Sequence, residues 1–162
     1  MGFEKAVVFT CGNEEYAVPV DQVVSIEKLE RVTPIPHLPE YLLGFTRIRN
    51  ELTPVIDFQR ILYNRPTSGN ESKVIVLSTD VINYALLVGE AKEILDIAEN
   101  DLKQLGLVNY SKTQYFTAVA NLEDRMISCV DPVILVNSLE GIREIIDYLY
   151  KMLENEQEEI AK

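Results

Sequence analysis

The sequence predicts a mainly β protein of small barrels or sandwiches, closed by one amphipathic helix. Short runs of alternating or continuous apolar residues recur along the 162 residues, turn-forming residues separate them, and one stretch near the C-terminus changes to helical spacing. A composition that is 47% hydrophobic is enough to bury a core, so one domain, or two small lobes sharing a core, fits the length.

The elements follow in order. "KAVVFT" and "EYAVPV" read as strands joined across Gly12-Asn13, and "VVSIEK" as a third. The stretch "IPHLPEYLLGFTRIRNELTPVIDF", residues 35–58, then supplies a proline-rich connector, Gly44, a strand carrying Arg47 and Arg49, and the apolar run "LTPVID". Polar, turn-rich "YNRPTSGNES", residues 63–72, reads as a crossing loop. Beyond it "KVIVLS", "NYALLVG", "AKEILDI", "QYFTAVANL" and "RMISCVD" read as further strands. Asn137-Ser138 is a helix-start signal, and Ile142, Ile145, Ile146, Leu149, Met152 and Leu153 form an apolar stripe after it, giving a helix over about 139–156. Its polar face is acidic rather than basic, which favours docking on its own protein over a membrane.

The two halves also match each other. Aligning "VVFTCGNEEYAVPVDQVVSI" with "IVLSTDVINYALLVGEAKEI" pairs Phe9 with Leu77, Tyr16 with Tyr84, Ala17 with Ala85 and Ile26 with Ile94, and "LTPVID" aligns with "MISCVD". One β unit used twice is the expectation, with Tyr16 and Tyr84 in equivalent places and each half building its own barrel.

Fifteen basic against 26 acidic residues give a net charge of −11, the wrong sign for phosphate-backbone binding, so nucleic acid is excluded as a general partner. No apolar run approaches the ~20 residues of a membrane span, and "MGFEKAVVFT" lacks the features of a signal peptide. A cytoplasmic protein without membrane insertion is expected. The acidic "ENEQEEIAK" reads as a solvated helix end. Cys11 and Cys129, far apart and without CxxC spacing, read as buried thiols rather than a disulfide or metal site.

Chemistry has few candidates. His37, the single histidine, lies in "PIPHLP" and reads as a loop residue; Asp57 and Asp131 end apolar runs, where aspartate caps or turns the chain. No phosphate loop, dinucleotide fingerprint, nucleophile elbow or zinc helix occurs. Arg47 and Arg49 share a strand face by period two, either as a solvated face or as guanidinium groups pinning the connector or a partner; the residues alone leave these equal.

The 35–58 stretch resembles the proline-to-glycine connector and "N-L-R-G…P-V-I-D-L" segment of CheW-type chemotaxis coupling proteins, and "EEYAVPVDQVVSIEK" and "NYALLVGEAKEIL" resemble that family's two hairpins. The resemblance covers nearly the whole chain. It implies a single CheW-like domain over 1–162: two five-stranded SH3-like β-barrel lobes packed on a shared core, lobe one mainly 1–62, lobe two mainly 73–137, and the C-terminal helix closing the core. It further implies an adaptor without chemistry or cofactor, monomeric alone, that couples the cytoplasmic tips of methyl-accepting chemoreceptors to the regulatory domain of a CheA-type histidine kinase in membrane-associated arrays. Carried over, the receptor-facing residues are Val23, Ser25, Gly44, Arg49, Asn50, Ala91 and Ile94. The kinase-facing ones are Leu43 and Leu52 on one side, Lys103 and Leu107 on the other.

Two departures stand out. Arg47-Ile48-Arg49-Asn50 replaces N-L-R-G, with Asn50 able to tolerate positive φ, and Ser25 replaces an acidic residue. Glu27, two residues along the same strand face, is the expected substitute partner for Arg49 or Arg47. The competing readings are a divergent coupling protein in a non-motility pathway, a small-ligand sensor with a metabolite between the lobes, and a hydrolase using Asp57 or Asp131 with His37.

Overall fold

The computed structural model describes residues 2–67, 73–105 and 113–161, with 152–161 as helical backbone alone. Among the described residues eleven strands form in chain order: β1 (Lys5–Cys11), β2 (Glu14–Pro19), β3 (Val23–Lys28), β4 (Leu42–Ile48), β5 (Glu51–Asp57), then β6 (Lys73–Leu77), β7 (Tyr84–Val88), β8 (Ala91–Asp96), β9 (Leu102–Gln104), β10 (Phe116–Asn121) and β11 (Met126–Val130). Helix α1 (Phe58–Tyr63) follows β5, and α2 (Pro132–Ser138) and α3 (Ile142–Ala161) follow β11.

These strands make two sheets, ordered β8-β1-β2-β11-β10-β9 and β3-β6-β7-β5-β4. Each local hairpin is a unit, yet the sheets exchange strands between the halves of the chain. β2 runs parallel to β11, with Ala17 beside Cys129, and β7 runs parallel to β5, with Ala85 beside Val55. The two positions match under the internal repeat, as do the bulges at Leu42/Gly44 and Phe116/Ala118. The repeat is therefore real in register, but each half does not build its own sheet.

The expected pair of closed five-stranded barrels is not formed. One sheet has six strands, and no ladder joins β8 to β9 or β3 to β4 among the described residues. In the second sheet the connector after β3 adds one isolated bridge to β4 among the described residues, Thr33 to Phe45, with Thr33 N donating to Phe45 O at 2.7 Å and Phe45 N to Thr33 O at 2.9 Å. Pro34, Pro36 and Pro39 remove the donors that a longer ladder from this connector would need. In the first sheet the last strand, β9, has only three residues.

Alternation places three apolar clusters. The largest joins both sheets and the helices: Phe9, Tyr16, Phe58, Leu86, Val130 and Leu135 meet Ile142, Ile145, Ile146 and Leu149 of α3. Val8, Ala17, Ala118, Ala120 and Ile127 line the inner face of the first sheet, and Val55, Val74, Val76, Ala85 and Leu87 that of the second. The largest cluster is thus one to which both sheets contribute, and the first turns of α3 pack into it. That helix starts at Ile142, after Gly141 at φ 79°, because Asn137 and Ser138 end α2 instead. The stripe residues Met152 and Leu153 lie outside the described side chains.

Asp57 and Asp131 cap α1 and α2. Asp57 accepts from the amides of Gln59 and Arg60 and Asp131 from those of Val133 and Ile134, satisfying first-turn donors that have no partner within the helix.

Candidate functional site

The connector passes close over β4, and Gly44 permits it. With φ at +145°, a Cβ on Gly44 would press into the carbonyl of Thr33, whose carbon lies 2.8 Å from that position, and on Pro34 Cα at 2.9 Å. Gly44 is buried, so what it provides is the close approach of the backbone rather than an exposed contact.

β4 then ends at Ile48, which pairs with Glu51. Arg49 (φ 51°) and Asn50 (φ 67°) are the two central residues of this hairpin turn, both with the positive φ that a type I′ turn requires. Arg49 therefore does not share a strand face with Arg47, because the chain has left the strand. Asn50 meets the requirement at modest cost, whereas Arg49 adopts a conformation long side chains seldom occupy.

β3 and β8 are the outer strands at one end of each sheet order. On β3, Val23 and Ser25 are half-buried while Val24 and Ile26 are 44% and 42% exposed. On β8, Ala91 is half-buried and Ile94 is 60% exposed. Ile26 and Ile94, equivalent under the repeat, are thus both large apolar side chains in water. Val24 and Ile26, outside the expected receptor-facing set, are among the more exposed residues of β3, as alternation opposite Ser25 and Glu27 places them. Gly44 lies on β4, at the other end of the strand order from β3, and Arg49 and Asn50 sit in the turn that follows it.

The Ser25 hydroxyl donates to Glu27 Oε2 at 2.7 Å, so these two side chains do share a face. The expected ion pair from Arg49 to Glu27 is not formed, since the turn carries Arg49 off the strand. Arg47 does line the same cavity as Glu27, a space of about 720 Å³ also bounded by Arg31, Phe45, Ile48 and Leu52. That cavity belongs to the second sheet and its connector and does not lie between the two sheets.

The kinase-facing candidates scatter. Leu43 packs against the inner cluster of the second sheet, Leu52 against the shared core, and Lys103 is exposed on β9. Leu107 lies outside the described residues.

The candidates for chemistry are committed elsewhere. Asp57, 1% exposed, accepts from Thr67 N at 2.9 Å and Thr67 Oγ1 at 2.5 Å besides its capping bonds. Asp131 serves the other cap, and His37 is exposed on the connector with φ 71°. Cys11 and Cys129 are buried free thiols, pushed by burial to about 11 and about 12. No group of histidine, cysteine or carboxylate side chains among the described residues is placed to hold a metal. No described helix is long and apolar enough to cross a membrane.

A family model described as the CheW-like domain matches residues 5–148. The chain is 33% identical over 102 residues to the chemotaxis protein CheW of Bacillus subtilis, a match spanning 62% of this chain and 65% of that protein. It is 26% identical over 143 residues to the CheW of Klebsiella aerogenes, spanning 85% and 84%. The crystal structure of the scaffolding protein TtCheW from Thermoanaerobacter tengcongensis superposes with a TM-score of 0.74 at 25% identity, covering 86% of this chain and 92% of that one.

Proposed function

The chain belongs to the CheW-like domain family, and from that premise we propose that it is a non-catalytic adaptor coupling chemoreceptor tips to the regulatory domain of a CheA-type histidine kinase. The observation that carries the receptor half is the pair of exposed isoleucines, Ile26 and Ile94, at equivalent places on the outer strands β3 and β8. Apolar side chains standing out from strands suit the apolar face of a helical partner, whereas a catalytic or small-ligand site would need converging polar groups.

In this reading Val23, Ser25, Gly44, Arg49, Asn50, Ala91 and Ile94, joined by Val24 and Ile26, serve the receptor side. Gly44 contributes by shaping the connector and Arg49 by projecting from a tight turn. Leu43, Leu52 and Lys103 serve the kinase side, with Leu107 continuing the Lys103 contact. The protein is monomeric alone, resides in the cytoplasm and is recruited to membrane-associated receptor arrays.

The test is calorimetric titration with a soluble receptor-tip hairpin. Ile94→Glu and Ile26→Glu each place a charge in the contact and are expected to weaken binding at least ~10-fold with the circular dichroism spectrum unchanged. Parental affinity in both variants overturns the placement.

A further inference from the structure

The inner face of the first sheet is bridged at one end by charges. Glu15 on β2, Lys92 and Glu93 on β8, and Arg125 in the β10–β11 turn form one network. The Arg125 guanidinium donates to the Glu93 carboxylate, its Nε lies 3.8 Å from Glu15 Oε1, and Lys92 Nζ lies 3.6 Å from Glu15 Oε2. Strand parity puts three of these on the inner face: Glu93 pairs with Val8, Glu15 is two residues from Ala17, and Arg125 is two from Ile127, all three neighbours belonging to the inner cluster.

The span is what makes this network informative. In the order β8-β1-β2-β11, β8 and β11 are three strand spacings apart, about 14 Å in a flat sheet, beyond the reach of one arginine. The contact exists because the sheet curls over a floor of small residues, Ala6, Ala17, Ala118 and Ala120. Side-chain exposures of 18% for Glu15 and 26% for Arg125 leave that contact less screened than a surface pair, while the Glu93 carboxylate, 42% exposed, meets water on one side.

Glu93 and Ile94 are adjacent on β8 and point to opposite faces. A hold on Glu93 from inside therefore fixes the pose of Ile94 outside. The repeat-equivalent positions in the second sheet are Asn83, Val24, Ser25 and Glu51, which lack the basic residues needed to build the same bridge.

We propose that Arg125 is a positioning residue, clamping edge strand β8 through Glu93 so that Ala91 and Ile94 are held ready for a helical partner. This rests on the reading of β8 as a receptor-facing strand.

The experiment compares Arg125→Met, the milder Glu93→Gln, and the conservative Arg125→Lys, which keeps a cation facing both Glu93 and Glu15. Amide hydrogen exchange of β8 and β3 is measured beside titration with the receptor-tip hairpin and with the kinase regulatory domain. Expected for Arg125→Met and Glu93→Gln are faster exchange confined to β8 and a several-fold loss of hairpin affinity, with kinase-domain affinity retained; Arg125→Lys lies between these variants and the parent in both. Parental β8 exchange in folded Arg125→Met and Glu93→Gln overturns the clamp. Faster β8 exchange with parental hairpin affinity, in a protein whose Ile94→Glu variant has lost binding, overturns positioning. Should Ile94→Glu bind the hairpin like the parent, the receptor-facing reading itself fails, and β8 exchange still decides the clamp.

Discussion

Tyr16 and Tyr84 occupy the same register in two different sheets. Tyr16 stands opposite Phe9 across β1–β2 and Tyr84 opposite Leu77 across β6–β7, and each strand is flanked on its other side by a parallel strand from the other half of the chain. Their surroundings differ: Tyr84 donates to the Pro132 carbonyl at 2.8 Å, whereas Tyr16 shares a 2.7 Å hydrogen bond with the hydroxyl of Tyr63. Exchange of strands between the halves means that neither half can form its sheet alone, so a fragment ending in the 63–72 loop is expected to be unfolded by circular dichroism. A cooperative thermal transition in that fragment would contradict the strand order.

Gly44→Ala is expected to destabilise the protein by about 1–3 kcal/mol, through positive-φ strain and displacement of Thr33 and Pro34. Gly141→Ala shares the positive φ but meets only Pro39 Cγ at 3.8 Å, so its cost is the smaller. Denaturant titration of both variants measures the difference, and equal costs would remove the close approach from the explanation.

Arg49→Gly separates conformation from contact. Relief of the left-handed backbone is expected to leave stability unchanged or raise it by up to ~1 kcal/mol, while loss of the guanidinium weakens receptor binding. A fall in melting temperature would show that the side chain supports the fold.

Asp57→Ala is expected to cost about 2–4 kcal/mol and Asp131→Ala about 1, since Asp57 is buried and adds the Thr67 bonds to its cap. Equal losses in denaturant titration would mean that the Thr67 anchor contributes nothing.

Cys11 and Cys129 should resist alkylation in the native state at pH 8, because burial raises both thiols, to about 11 and about 12. As acids held neutral by the fold, they contribute stability that is complete below the ordinary thiol value of 9.0 and is lost as pH rises through 11 to 12. Rapid native-state labelling by iodoacetamide would contradict their burial.

Local chemistry made much of this readable. Alternation marked most strands, Gly12-Asn13 the first hairpin, and the aspartates closing "LTPVID" and "MISCVD" the two caps. Which strands pair was not readable, because β2–β11 and β5–β7 join residues far apart in sequence and parallel pairing has no turn to announce it. α1 and α2 are too short for a helical period to show, and β9 is too short to alternate. Arg49 was read as a strand residue because the alternating pattern continued into the turn, which only Asn50, able to take positive φ, announced. The clamp on β8 was hidden for a related reason: Glu15, Glu93 and Arg125 meet only once the sheet curls.

The most direct measurement of the adaptor role is a two-partner titration: receptor-tip hairpin is added to the protein alone and to the protein saturated with a CheA-type regulatory domain. Expected is binding of both partners at once, with hairpin affinity lost in Ile94→Glu and kinase-domain affinity lowered in Lys103→Glu but not the reverse. Mutual exclusion of the two partners, or failure of the folded protein to bind either, would contradict coupling as its function.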